Sequence, residues 1–108
     1  MTFDELAANF RNSPSSIDAV KLLYRGAYEL MKTEVDNAGL YFVIGVAGQS
    51  FVRSWDDQEL TVEFLDKSKS EIEGLLDTLL RALHSEPAEK LRLLGQAATE
   101  YEWHIKGF

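Results

Sequence analysis

Eight carboxylates and only two lysines fall within residues 55–80. The densest part of that stretch is Trp55-Asp56-Asp57-Gln58-Glu59, with Glu63 four residues on. Carboxylates gathered this closely can do three kinds of chemistry. A pair held in a cleft can act as general acid and base. A cluster of oxygens can hold a hard divalent cation such as Mg²⁺ or Ca²⁺. An exposed cluster can orient the Lys and Arg side chains of a basic partner and speed its approach. The first lacks a nucleophile or a second titratable group at suitable spacing. The second finds no match to an EF-hand loop, and an Asp-rich turn accounts for Asp56 and Asp57 without a metal. The third matches the pattern, because Trp55 beside the acids adds an aromatic anchor. The expected partner-binding residues are therefore Trp55, Asp56, Asp57, Glu59 and Glu63. No catalytic residue, metal ligand or cofactor is expected.

The other chemistry-bearing residues are isolated. His84 and His104 are the only imidazoles. Neither has a second His at ligand spacing or an adjacent nucleophile. His84 stands where a helix is expected to end, so its cationic form would complement the dipole. Gly45-Val46-Ala47-Gly48-Gln49-Ser50 superficially resembles a phosphate-cradling loop, but lacks the Lys and the Ser/Thr that follow in a P-loop. There is no cysteine, which removes disulfides and thiolate ligands and fits a reducing compartment.

The 108 residues carry a net charge of −7 and are expected to form one domain, 1–108. Residues 1–54 have net charge −1, residues 55–80 have −6, and residues 81–108 have 0. This balance argues against direct binding of nucleic acid or an anionic membrane, since both reward Lys and Arg. The acidic start Met1-Thr2-Phe3-Asp4-Glu5 does not read as a secretory signal, and no run approaches the apolar length that crosses a bilayer. A cytoplasmic location is expected.

The elements that must position the acidic stretch are read from periodicity. Thr2-Phe3-Asp4-Glu5 is a capping box, followed by Phe3, Leu6, Ala7 and Phe10 on one helical stripe. Asn12-Ser13-Pro14 ends that helix. Ser15 is the expected N-cap of a longer one, striped by Ile17, Val20, Leu23, Tyr24, Ala27, Leu30, Met31 and Val35. Asn37-Ala38-Gly39 is read as its stop.

Leu40 to Ala47 is wholly apolar and rich in β-branched and aromatic residues, which reads as a strand covered on both faces. Gly48-Gln49 then turns the chain into a second strand, Ser50 to Trp55. Glu59 to Leu65 alternates as a third, with Glu59 and Glu63 on its outer face. Ser68-x-x-Glu71 and Ser70-x-x-Glu73 read as capping boxes for a helix striped by Ile72, Leu75, Leu76, Leu79, Leu80 and Leu83. Pro87 suits the first turn of the last helix. In the tail, helical spacing through Leu91, Leu94, Ala98, Tyr101 and Ile105 competes with strict alternation over Thr99–Lys106. The helical reading covers more residues and is preferred; it puts Trp103 on the polar face.

The expected fold is thus α+β. A three-stranded antiparallel meander, with a possible fourth, C-terminal strand, packs with about four helices in the order α-α-β-β-β-α-α. In size, acidity and absence of a catalytic motif the chain resembles the small immunity proteins and antitoxins that neutralise basic toxins, often nucleases. The resemblance is one of general character, without a shared motif. It implies a non-enzymatic inhibitor whose acidic face meets a basic, nuclease-like partner. The alternatives are a DNA-mimicking inhibitor and a structural subunit that oligomerises through a sheet edge or the C-terminal helix.

Overall fold

The computed structural model describes residues 1–106, and among them there are five α-helices and no strand. The helices are α1 (Phe3–Arg11), α2 (Ile17–Thr33), α3 (Ala38–Trp55), α4 (Val62–Leu83) and α5 (Pro87–Glu100). A 3₁₀ turn, Val35–Asn37, precedes α3, and a π-helical turn, Tyr101–Ile105, continues α5. Gly107 and Phe108, the end of the tail considered above, lie outside the described residues.

The expected α+β meander is wrong, and the correction centres on α3. Residues 40–47 and 50–55, read as two strands of a hairpin, are one helix running straight through Gly48. Its buried positions are Leu40, Tyr41, Ile44, Gly45, Ala47, Gly48 and Val52, a stripe of period 3.6 rather than 2. Phe42 lies 53 % exposed, which a strand covered on both faces would not allow. A short apolar run carries no period of its own, so it suits a buried helix as well as a buried strand. The stripe appears only when Gly and Ala are counted as core residues.

The third strand fails for a related reason. Glu59 and Leu60 lie in the connection, and α4 starts at Val62. Thr61 is its N-cap, its hydroxyl accepting from the Phe64 amide at 3.1 Å. Val62, expected inside, is 70 % exposed. Ser68 and Ser70 sit inside the helix rather than at its start. Leu65, Ile72, Leu75, Leu76 and Leu79 keep a helical period from here onward, and that outweighs a seven-residue alternation.

Smaller boundaries also move. The N-cap of α2 is Ser16, not Ser15, its hydroxyl accepting from the Ala19 amide at 3.1 Å. Asn37-Ala38-Gly39 opens α3 instead of closing α2, and Val35 lies outside α2 with 76 % exposure. The reading of α1 is borne out in full. Thr2 and Glu5 make both capping-box bonds, at 2.9 and 3.1 Å, and Phe3, Leu6, Ala7 and Phe10 are buried. The tail is helical, as preferred, but not on the expected stripe: Leu93 and Ala97 are buried, while Leu91 and Ala98 are exposed; α5 starts on Pro87, passes through exposed Gly95, and the π turn leaves Trp103 76 % exposed.

Packing is tightest between α2 and α3. A Cβ on Gly48 would stand 2.8 Å from Tyr24 Cβ, and one on Gly45 would strike the Tyr28 ring. The two glycines are three residues apart and the two tyrosines four, so they form facing rows on adjacent turns. The Tyr28 hydroxyl donates to Gln49 Oε1 at 3.1 Å, one residue past Gly48. α1 lies across this pair, with Phe3 edge-on to Tyr41 at 5.1 Å and Leu6 filling the space over Gly26.

Helix α1 runs antiparallel to α4. His84 Nε2 meets Asp4 Oδ1 at 2.9 Å at one end, and Arg11 pairs with Asp77 towards the other. Lys69 of α4 donates to the carbonyls of Arg11 and Ser13 and lies 5.7 Å from the Phe10 ring centre. A cation on the last carbonyls of α1 satisfies acceptors that the helix cannot satisfy itself.

Tyr41 is wholly buried, and its hydroxyl donates to Glu34 Oε1 at 2.7 Å. Burial, reinforced by the Glu34 carboxylate, pushes its pKa well above the ordinary phenol value. Burial also raises Tyr28. Both shifts favour the neutral phenol in the folded state. The unfolded chain therefore loses these protons first, near its ordinary pKa of about 10. Stability from this source is complete below that pH and is lost as pH rises towards the folded value.

Two outcomes are expected. Urea titration should show Gly48→Val losing about 2 kcal/mol or more through overpacking against the Tyr24 stem. Gly74→Ala, with nothing within 4 Å of its added Cβ, should gain about 0.5–1 kcal/mol from helix propensity. Equal effects at both sites would show that the α2–α3 seam is not close-packed. Thermal melts from about pH 9 to about pH 11 should fall more steeply for wild type than for Tyr41→Phe. Parallel slopes would show that Tyr41 does not carry the alkaline sensitivity.

Candidate functional site: an acidic corner beside an aromatic groove

The residues expected to bind a partner lie where α3 hands over to α4. Trp55 is the last residue of α3, Asp56 its C-cap, and Asp57, Gln58 and Glu59 follow in the connection. The Asp56 amide closes α3 on the Val52 carbonyl at 2.9 Å, and the Gln58 amide turns back to Trp55 O at 3.1 Å. Glu63 stands in the first turn of α4, where a negative charge suits the helix dipole. The five residues thus lie along one connection and the helix ends that flank it, though Glu59 and Glu63 do not share a strand face as expected.

All four carboxylates are exposed. Asp56 pairs with Lys21 of α2 at 3.3 Å. Among the described residues, Asp57, Glu59 and Glu63 make no ion pair. Trp55 is half-buried, edge-on to Phe64 at 4.9 Å between ring centres, while Phe51 stacks on Phe64 at 6.1 Å. Trp55 is therefore fixed by α3 and α4 together, with part of its indole facing out.

Behind Trp55 opens a groove that the sequence reading missed. Its volume is about 250 Å³. Phe51 and Trp55 of α3, Phe64 and Ile72 of α4, and Tyr101 and Ile105 of the π turn form its apolar walls. Lys67, Glu71, His104 and Lys106 supply the charged or titratable groups of its lining. The π turn closes with the Lys106 amide on Tyr101 O at 2.8 Å, a bond five residues back. Such turns are uncommon and recur at functional positions. Lys106 also meets Glu102 at 2.9 Å, and that carboxylate raises its pKa. Glu71 is half-buried, and its side chain makes no hydrogen bond or ion pair with a described residue. Nothing in the sequence marks the π turn, and the groove joins residues up to 59 positions apart (Ala47 to Lys106).

The remaining candidates do not converge on this site. His84 is the C-cap of α4, paired with Asp4 far along the chain from the acidic corner. His104 lies exposed on the groove wall. Gly45 to Ser50, set against a phosphate loop above, is interior helix with Gly45 and Gly48 buried. Among the described residues no three or more His, Asp or Glu side chains gather as metal ligands would. No described helix is long and apolar enough to cross a membrane.

No protein-family model, curated protein or solved structure matches this chain. The site must be read from its own chemistry.

The Asp56–Lys21 pair is part-exposed, with 44 % and 27 % of the two side chains accessible. A double-mutant cycle with Asp56→Asn and Lys21→Met should give a coupling below about 1 kcal/mol. The coupling should shrink further in about 1 M salt. A larger, salt-insensitive value would assign Asp56 to holding α3 on α2 rather than to the exposed corner.

Proposed function

We propose that this protein is a non-enzymatic binding module that engages a basic partner protein through its acidic corner. The observation that carries the reading is the placement of Asp57, Glu59 and Glu63. They are exposed, close in sequence across one turn, and in no ion pair among the described residues, beside a half-buried tryptophan. Like charges brought together without counter-ions weaken a free domain slightly and strengthen its field. Such a field speeds the approach of a basic surface, and a part-exposed indole then supplies an anchor. A basic, nuclease-like toxin is the partner class favoured here, because the Lys and Arg that bind phosphates would meet these carboxylates directly. The alternative of an oligomer built on a sheet edge falls with the sheet.

The test is a four-site variant, D56N/D57N/E59Q/E63Q. Its stability should lie within about 1 kcal/mol of wild type, since the one ion pair lost is an exposed one. Association with a basic partner captured from the source cells should slow by roughly tenfold at low salt and lose most of its salt dependence. Trp55→Ala should instead speed dissociation. Equal capture by wild type and the four-site variant at both low and moderate salt would reduce the corner to solvated surface and end this reading.

A further inference from the structure

We infer that the groove between α3, α4 and the π turn receives the apolar anchor of a short basic amphipathic helix on the partner. The inference rests on the acidic-corner reading and names what that corner holds. Three observations lead to it. Trp55 belongs to both features: it lines the groove and directly precedes Asp56 and Asp57. A segment with apolar and basic faces would meet the groove with one and the carboxylates with the other. The size also discriminates. A cavity of about 250 Å³ is below the usual range for drug-sized ligands and cofactors, about 300–1,000 Å³, and suits one or two large side chains.

The charge arrangement favours a basic occupant. Glu71, half-buried on the groove wall, is without a partner among the described residues. Lys67 stands between Glu63 and Glu71 at helical spacing on α4, so that face is net acidic. Lys106 is engaged by Glu102. The corner carboxylates adjoin the groove in the chain, Asp56 after Trp55 and Glu63 before Phe64, and give it an acidic flank, while the aromatic walls take what enters.

The experiment uses the full chain carrying Trp103→Phe, so that Trp55 alone reports. The probe is a tryptophan-free helical peptide of about 14 residues, some four turns, with Leu and Phe on one face and Lys on the other. A scrambled peptide of equal composition and charge is the control. The amphipathic peptide should shift Trp55 emission saturably and bind at least about tenfold tighter than the scramble, the effect of one modest anchor. Phe64→Leu and Ile105→Ala, each checked for an unchanged helical spectrum, should speed dissociation and leave the salt slope alone. The four-site variant should flatten the salt slope yet keep the preference for the amphipathic peptide.

If both peptides bind equally, or neither groove variant changes dissociation, the groove is not the dock. Salt-dependent loss in the four-site variant would then leave the acidic-corner reading standing. If neither peptide binds at any salt, the helix-docking inference falls, and the capture experiment decides the acidic corner by itself. If the dye 8-anilinonaphthalene sulfonate shifts Trp55 emission while both peptides leave it unchanged, the groove is a small-molecule site and the helix-docking inference is overturned.

Discussion

The close approach of α2 and α3 is the constraint on which the rest of this structure depends. Gly45 and Gly48 bare the backbone of α3 where Tyr24 and Tyr28 of α2 lean across it. A side chain at Gly48 would separate the helices, because the obstruction there is the tyrosine stem, whereas one at Gly45 meets the Tyr28 ring. With the seam closed, the most apolar helix of the chain is covered by α2 on one side and by α1, α4 and α5 on others. A helix apolar around most of its girth is stable only when so enclosed. The core is therefore assembled around α3.

The polar contacts around that core act mainly by fixing position. Tyr41 buries its ring beneath α1 and spends its hydroxyl on Glu34, where α2 ends. Lys69 ties the end of α1 to α4, and Lys90 of α5 donates to Asn37 Oδ1 at 2.9 Å beside the start of α3. The exposed ion pairs along α1 contribute little individually, since water and salt screen them. Direction matters more than energy here. At the C-terminal end of α3 the register with α4 is marked instead by the rings of Phe51 and Trp55 on Phe64.

The proposed site follows from that handover. One turn leaves the carboxylates in water because the chain must reverse there. The same reversal brings Phe51, Trp55 and Phe64 together as an aromatic cluster. The π turn adds Tyr101 and Ile105 to it from the far end of the chain. Charge to attract and an apolar recess to retain are thus adjacent, with one tryptophan shared between them. The proposed function draws on the charge and the tryptophan; the helix-docking inference adds the recess, so it can fail while the proposed function stands.

Much of the helical framework was legible in the residues themselves. Thr2 with Glu5, the stripe of α1, the stripe of α2 up to Met31, Pro87 at the start of α5 and the leucine run of α4 act over a single turn or two, and local rules read them correctly. The charge skew that gathers Asp56, Asp57, Glu59 and Glu63 was equally visible, because proximity in sequence is enough to bring a turn together. The conformation of residues 40–55 was decided only by the tertiary structure. Leu40–Ala47 favours strand by residue type and carries no polar residue to set a period, so only its partners could choose. The choice was made by Tyr24 and Tyr28, which need glycine opposite them on consecutive helical turns, and by leucines from α4 that complete the enclosure. The groove was decided in the same way, since Phe51, Glu71 and Tyr101 become neighbours only after three helices have packed.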